Sequence, residues 1–267
     1  MNNTGVIFKR TLRDQRKTII GWGIALAVYM LYVVVLYPTM QQLDYLNEIM
    51  QVPIFQALVG SEVTDFTSPG GFIGMYVFLY LPLILAVFAI LFGMSITSSE
   101  EEQGTLDVLL AAPVPRSQLI LEKLAAGTVA LALILLGAFV GYLLGVVFTP
   151  SLQIDWGVLL LAFLNIIPVT LLMIALTLLL STILRSRGLV GGIMTVFLVA
   201  SYFIMTLGQM ASEPISNMRY LSIFNYYGGA SVITRGMDWG GFAFISVIVI
   251  ATIALSLFTV QRRDLNT

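Results

Sequence analysis

Cysteine and histidine are both absent from the 267 residues, and only 10% of positions carry a charge. The first two absences exclude disulfides, thiolate nucleophiles, haem-binding cysteines and His-ligated zinc. Absent cysteine says nothing about compartment. The scarcity of charge is more informative. A soluble domain carries about 25% charged and roughly 45–50% apolar residues, whereas 58% of this chain is hydrophobic. Too little polar material remains to cover such a core in water, so the chain reads as a membrane protein. Thirteen basic against fourteen acidic residues leave a net charge of −1, and no global basic surface suggests nucleic acid as a partner. No catalytic and no metal-ligating group is expected.

What is present is a set of long apolar runs. A bilayer core about 30 Å thick needs roughly 20 helical residues, and six stretches meet this: 18–38, 72–97, 124–148, 157–184, 188–210 and 241–260. None contains Lys, Arg, Asp or Glu. The expected fold is a single all-α transmembrane domain over residues 1–267. The first run is too long for a signal-peptide core and no A-x-A-like site follows it, so it is expected to remain as a span.

Orientation follows from the cations. An even number of spans places both termini on one side, with Lys9, Arg10, Arg13, Arg16, Lys17, Arg116, Lys123, Arg185, Arg187, Arg262 and Arg263. Only Arg219 and Arg235 fall opposite. The positive-inside rule makes the richer side cytoplasmic. Tyr37, Trp156 and Trp239 at outer span ends, and Trp22 near an inner one, suit the headgroup layers.

The connections differ in character. Residues 4–17 are short and basic, with Phe8 and Leu12 four apart. They read either as an interfacial helix or as a topology signal alone. The outer loop 39–71 carries Leu43, Leu46, Ile49 and Met50 at helical spacing. Pro53 then precedes a second apolar run through Phe55, Leu58 and Val59, so two short outer helices are expected. Ser68-Pro69-Gly70-Gly71 marks the turn into the second span.

The connection SSEEEQGTLDVLLAAPVPRSQLILEK, residues 98–123, is the most informative. Ser98 and Glu101, or Ser99 and Glu102, have capping-box spacing, and Glu100, Glu101 and Glu102 would occupy the first turn. Leu106, Leu109 and Leu110 make one apolar stripe, Pro113 and Pro115 stop the helix, and Ser117 can cap the next. The expected product is a short amphipathic helix at the membrane surface. Its leucines rest on headgroups, or they anchor a soluble partner; the acidic run, repelled by an anionic leaflet, leans toward the partner.

This segment resembles the cytoplasmic signature of ATP-binding-cassette exporter permeases of the second type (the ABC-2 type transmembrane domain). The pattern is carried by Glu100, Glu102, Gly104, Thr105, Leu106, Leu109, Leu110, Pro113 and Arg116, with Lys123 following. The resemblance implies that 98–117, Glu101 included, is a coupling helix that docks on an ATPase. It makes 4–17 an amphipathic elbow helix and 211–240 a hairpin of short outer helices dipping into the bilayer. There LSIFNYY is similar to the family's Leu-Ser-Pro-aromatic pattern, with Ile223 in place of the proline. A second permease subunit, with a homodimer expected, and a pair of nucleotide-binding subunits are also implied. No G-x-x-x-x-G-K-[ST] phosphate loop occurs. ATP and Mg are therefore expected on a partner ATPase, with no cofactor on this chain.

Within the spans, Gly137, Gly141 and Gly145 form a close-packing seam on the third. Tight packing inside one subunit is favoured there over a dimer contact. Gly188 and Gly192 do the same on the fifth. Pro82 and Pro168 are expected to kink their helices, with Asn165 bonding carbonyls that Pro168 frees. Ion-coupled transporters and voltage sensors need ionisable groups at membrane depth, and apart from tyrosine nothing here titrates. Energy must enter from outside the bilayer, and a path lined by aromatic side chains suits hydrophobic or amphipathic cargo. Because the family lines its path with the first, second and fifth spans, Trp22, Tyr29, Tyr32, Tyr76, Tyr80 and Tyr202 are the candidate lining. The expected function is the permease subunit of an ATP-driven exporter, such as a multidrug efflux system, in a bacterial or archaeal cytoplasmic membrane. The alternative is a non-transporting scaffold that recruits a cytosolic partner through 98–117.

Overall fold

The computed structural model describes residues 5–42, 52, 67–102, 115–184, 186–211, 215–229 and 231–262, without the side chains of 97–102, 116, 210 and 262. Among the described residues every regular element is helical. The chain opens with α1 (Val6–Asp14), turns at Gln15, and enters α2 (Arg16–Gln41). The second apolar run is built from α3 (Pro69–Ile73), a π turn (Gly74–Phe78) and α4 (Leu81–Glu102). Then follow α5 (Arg116–Phe148), α6 (Trp156–Ile183) and α7 (Arg187–Met210). Two 3₁₀ turns (Ile215–Leu221 and Ile223–Tyr226) and α8 (Ser231–Arg235) lead to α9 (Trp239–Arg262). Six helical segments are long and apolar enough to cross a membrane. Helices satisfy every backbone group internally, which a bilayer demands.

Two of these segments form the centre. Within the most apolar window of each segment, 72% of residues are buried for Pro69–Ile96 and 67% for Trp156–Ile183, against 22% for the first, fifth and sixth. α4 and α6 therefore pack on each other, α9 lies against α6, α7 against α4, and α2 runs along α5. Glycine sets two of these approaches. A Cβ at Gly137 would lie 2.7 Å from the Gly23 carbonyl oxygen, one at Gly141 would overlap the Ala27 carbonyl, and one at Gly145 would meet Val34. The glycine seam of the third span is thus used inside this chain, against α2. Gly93 on α4 does the same for Thr177 of α6. Gly188 and Gly192 face open space.

The polar side chains of the spans mostly turn back on their own helices. Thr170, Thr177 and Ser181 donate to the carbonyls of Ile166, Met173 and Thr177 at 3.0, 2.7 and 2.8 Å. Such back-bonding hides a hydroxyl where no water is available. Thr182 likewise donates to the Leu179 carbonyl at 2.7 Å, and its hydroxyl also lies 2.9 Å from that of Thr259, joining α6 to α9.

Two local expectations change, and one takes a definite form. Ser98 to Glu102 do not begin a new helix under a capping box; they are the last turns of α4. No breaker separates them from the apolar residues before, and an established helix propagates at little cost. Ser68-Pro69-Gly70-Gly71 lies where the chain enters the second span, as expected, and takes the form of a helix start, with Ser68 Oγ accepting from Gly71 N at 3.2 Å and Pro69 in the first turn. The helix after the 98–117 connection begins at Arg116 behind Pro115, not under a Ser117 cap. The outer helices expected around 43–50 and 55–59 lie outside the described residues.

Candidate functional site: two polar junctions at opposite ends of the bundle

The first junction lies at the end of the bundle that holds α1. Glu100, Glu101 and Glu102 close α4 and Arg116 opens α5. Gly104, Thr105, Leu106, Leu109, Leu110 and Pro113 lie outside the described residues. The base of this connection is defined by Lys123, whose buried Nζ donates to the Ile96 carbonyl at 2.7 Å. Its neighbour Glu122 accepts from Gly5 N at 3.0 Å through Oε1 and from Phe8 N at 3.1 Å through Oε2. Gln118, one turn earlier, donates to Glu122 Oε1 at 2.8 Å. The sequence marked Lys123 as a topology cation and as the basic residue following the signature, and it gave Glu122 no role. The available signal was a pair of charges next to an apolar span with no opposite charge at helical spacing.

The second junction lies at the opposite end, where Pro82 shapes the backbone. Proline has no N–H to give the carbonyl four residues earlier, which here is that of Phe78. Just before it the helix widens into the π turn Gly74–Phe78, with Leu79 N bonding Gly74 O at 3.0 Å. π turns inside helices are frequent at functional sites. Phe78 O accepts instead from the hydroxyl of Tyr227 at 3.0 Å. Tyr29 of α2 likewise donates its hydroxyl to Tyr76 O within the π turn. Two carbonyls of the widened segment are therefore served by tyrosines from other elements.

Tyr227 is held in turn by Asn165 of α6, whose Nδ2 donates to the Tyr227 carbonyl. This corrects the expectation that Asn165 serves the carbonyls freed by Pro168. Its side chain is buried and its amide points across to the 215–235 segment rather than along α6. That segment folds over the bundle end, with Gly228 and Gly229 at φ 70 and 46, a left-handed backbone that glycine adopts without penalty. Ser222 ties it to α7 by donating to Ser201 O at 2.7 Å, while Ile223 N donates to Ser201 Oγ at 3.1 Å. Because Ile223 keeps an N–H, it makes a bond that a proline at this position would not.

The six aromatic candidates do not form one group. Tyr29, Tyr76 and Tyr202 all lie near Tyr80, so four tyrosines from α2, the π turn, the α4 junction and α7 share one neighbourhood. Tyr80 is 40% exposed. Aromatic rings continue the group outward, with Phe72 4.8 Å from Tyr76 and Phe224 6.3 Å from Tyr202 between centroids. Trp22 stands apart, edge-on to Phe88 at 6.2 Å. Tyr32 is 61% exposed on the outer face of α2. No group of three or more metal-binding side chains occurs among the described residues.

Among the described residues, an all-helical bundle with six segments long and apolar enough to cross a membrane, no Lys, Arg, Asp or Glu in their apolar runs and a polar junction at each end has the build of a multi-pass membrane protein. The family model described as ABC-2 family transporter protein matches residues 6–265, and the chain belongs to that family. No curated protein matches the chain. Membership makes it a membrane permease component of an ABC transporter, a part that is not itself catalytic and that in this family generally works with an ATP-binding subunit.

Proposed function

We propose that the chain is the membrane-spanning half of an ATP-driven exporter that moves hydrophobic or amphipathic cargo out of the cytoplasm. It acts as a pair of permease subunits on a pair of ATPase subunits, with both termini and the 98–117 segment in the cytosol of a prokaryotic cell. One observation carries the reading. The only signature-bearing connection, Glu100 to Arg116, leaves the bundle at its basic end, while the spans themselves hold no group able to couple ion movement to transport. Work must enter through that connection. When the ATPase pair closes on ATP and Mg, it carries the 98–117 segment with it, and α4 and α5, which the segment joins, follow. At the far end the four tyrosines offer broad aromatic surface with hydroxyls at their rims. Such a surface takes apolar rings and chains without demanding one shape.

The test begins with copurification of the native chain and the ATPase subunits encoded beside it, followed by reconstitution in phospholipid vesicles. ATP turnover stimulated severalfold by a fluorescent hydrophobic amine, together with its movement across the bilayer, supports the exporter. A bound partner with no stimulation by a panel of such compounds indicates a scaffold instead. If Leu106→Glu combined with Leu109→Glu leaves both complex and transport intact, the docking assignment is wrong.

A further inference from the structure

The N-terminal helix α1 begins without a cap of its own. Its N-cap position is Gly5, at φ 88, and no side chain of the same segment accepts from the first amides. A helix start leaves several N–H groups without intrahelical partners, and the aligned peptide dipoles make it electropositive. The acceptor comes from more than a hundred residues away. The two oxygens of Glu122 divide Gly5 N and Phe8 N between them at 3.0 and 3.1 Å, and Gln118 braces the carboxylate at 2.8 Å.

The adjacent residue reaches a different helix. Lys123 donates to Ile96 O of α4 at 2.7 Å. A third contact closes the ring, because Gln15, at the turn from α1 to α2, donates to Ser95 Oγ of α4 at 3.4 Å. Ser95 in turn donates to Phe92 O at 2.7 Å, which fixes its hydroxyl. Helices α1, α4 and α5 are thus joined pairwise. Three ties in a closed ring resist relative sliding, whereas two leave a hinge. The 98–117 segment emerges between Ile96 and Lys123, so it is rooted in this ring.

We propose that Glu122 is a positioning residue: its carboxylate latches the N-terminal helix to the root of α5, so that α1, the end of α4 and the 98–117 segment shift as one block. The latch itself follows from the contacts above; its part in transmitting ATPase motion rests on the permease reading. A displacement of the 98–117 segment then tilts α1, and with it the α2 helix that α1 leads into. Without the latch α4 and α5 still move, but α1 stays behind.

The full-length chain in phospholipid nanodiscs provides the test, by amide hydrogen exchange of the native protein, Glu122→Ala and Glu122→Gln. Glu122→Ala is expected to speed exchange at Gly5 and Phe8 at least tenfold. Glu122→Gln, which keeps one acceptor oxygen, is expected to give a few-fold increase. Exchange in α6 should stay unchanged in both. Equal exchange in the three proteins overturns the latch. So does a loss of protection spread evenly through α6 and α9, which would make Glu122 a general packing residue. With the ATPase subunits bound, Glu122→Ala should keep ATP turnover within twofold while movement of the fluorescent amine per ATP falls at least fivefold. An unchanged ratio overturns the role in transmission. If no ATPase subunit binds the native chain, the permease reading fails, and the exchange measurement still decides the latch.

Discussion

Replacing Tyr227 with Phe removes one oxygen from a site with no alternative donor within its own helix. The Tyr227 side chain is 4% exposed and Phe78 is fully buried, so water cannot readily replace the hydroxyl at the Phe78 carbonyl. Stranding a buried acceptor costs about 1–3 kcal/mol, while side-chain hydrogen bonds inside membrane proteins average about 0.6 kcal/mol by double-mutant cycles. The lower figure reflects partners that can usually rearrange. Here Pro82 denies that rearrangement, because position 82 has no N–H to give Phe78 O. The expected loss for Tyr227→Phe is therefore about 1.5–2 kcal/mol, in the upper part of the combined range. Pro82→Ala supplies an N–H to the same carbonyl, and in that background Tyr227→Phe should cost only about 0.5 kcal/mol. A coupling of about 1 kcal/mol between two residues so far apart in sequence is well above the usual error of a cycle. It is measured by the shift in denaturation midpoint of the four proteins in one detergent. Equal costs of Tyr227→Phe in both backgrounds would refute the argument that proline creates the need for the tyrosine.

Three further outcomes follow from the packing and the junctions. Gly141→Leu should prevent α2 from seating on α5, since even a Cβ there overlaps the Ala27 carbonyl. Its loss of stability is expected to exceed about 3 kcal/mol; Gly188→Ala, which faces open space, should be neutral or raise the melting temperature slightly. Lys123→Ala removes a buried amine and its aliphatic stem together, and should cost about 2–3 kcal/mol in the same denaturation assay. Tyr80→Ala should change the concentration of fluorescent amine giving half-maximal ATPase stimulation at least threefold, whereas Tyr32→Ala, on the outer face of α2, should leave it unchanged.

Composition and periodicity alone settle the class of this protein. A chain with 58% hydrophobic and 10% charged residues has no soluble solution, and the six helical segments follow because a bilayer leaves each apolar stretch no other way to satisfy its backbone. The Glu100–Arg116 pattern points to the family by itself, since a run of neighbouring residues can be read as a string. The glycine spacing on α5 likewise announced a close approach, although not which helix would fill it. Which residues meet was decided by tertiary structure. Glu122 and Gly5, Lys123 and Ile96, and Tyr227 and Phe78 are far apart in sequence, and their pairing depends on helix rotations and on where the second span widens ahead of Pro82. Asn165 shows the difference most directly. Its distance from Pro168 suggested a local bond along its own helix, but the rotation of α6 turns the amide across the bundle to Tyr227. Local sequence fixes what a segment can do with itself, while a hydrogen bond between segments exists only once packing has set their depth and azimuth.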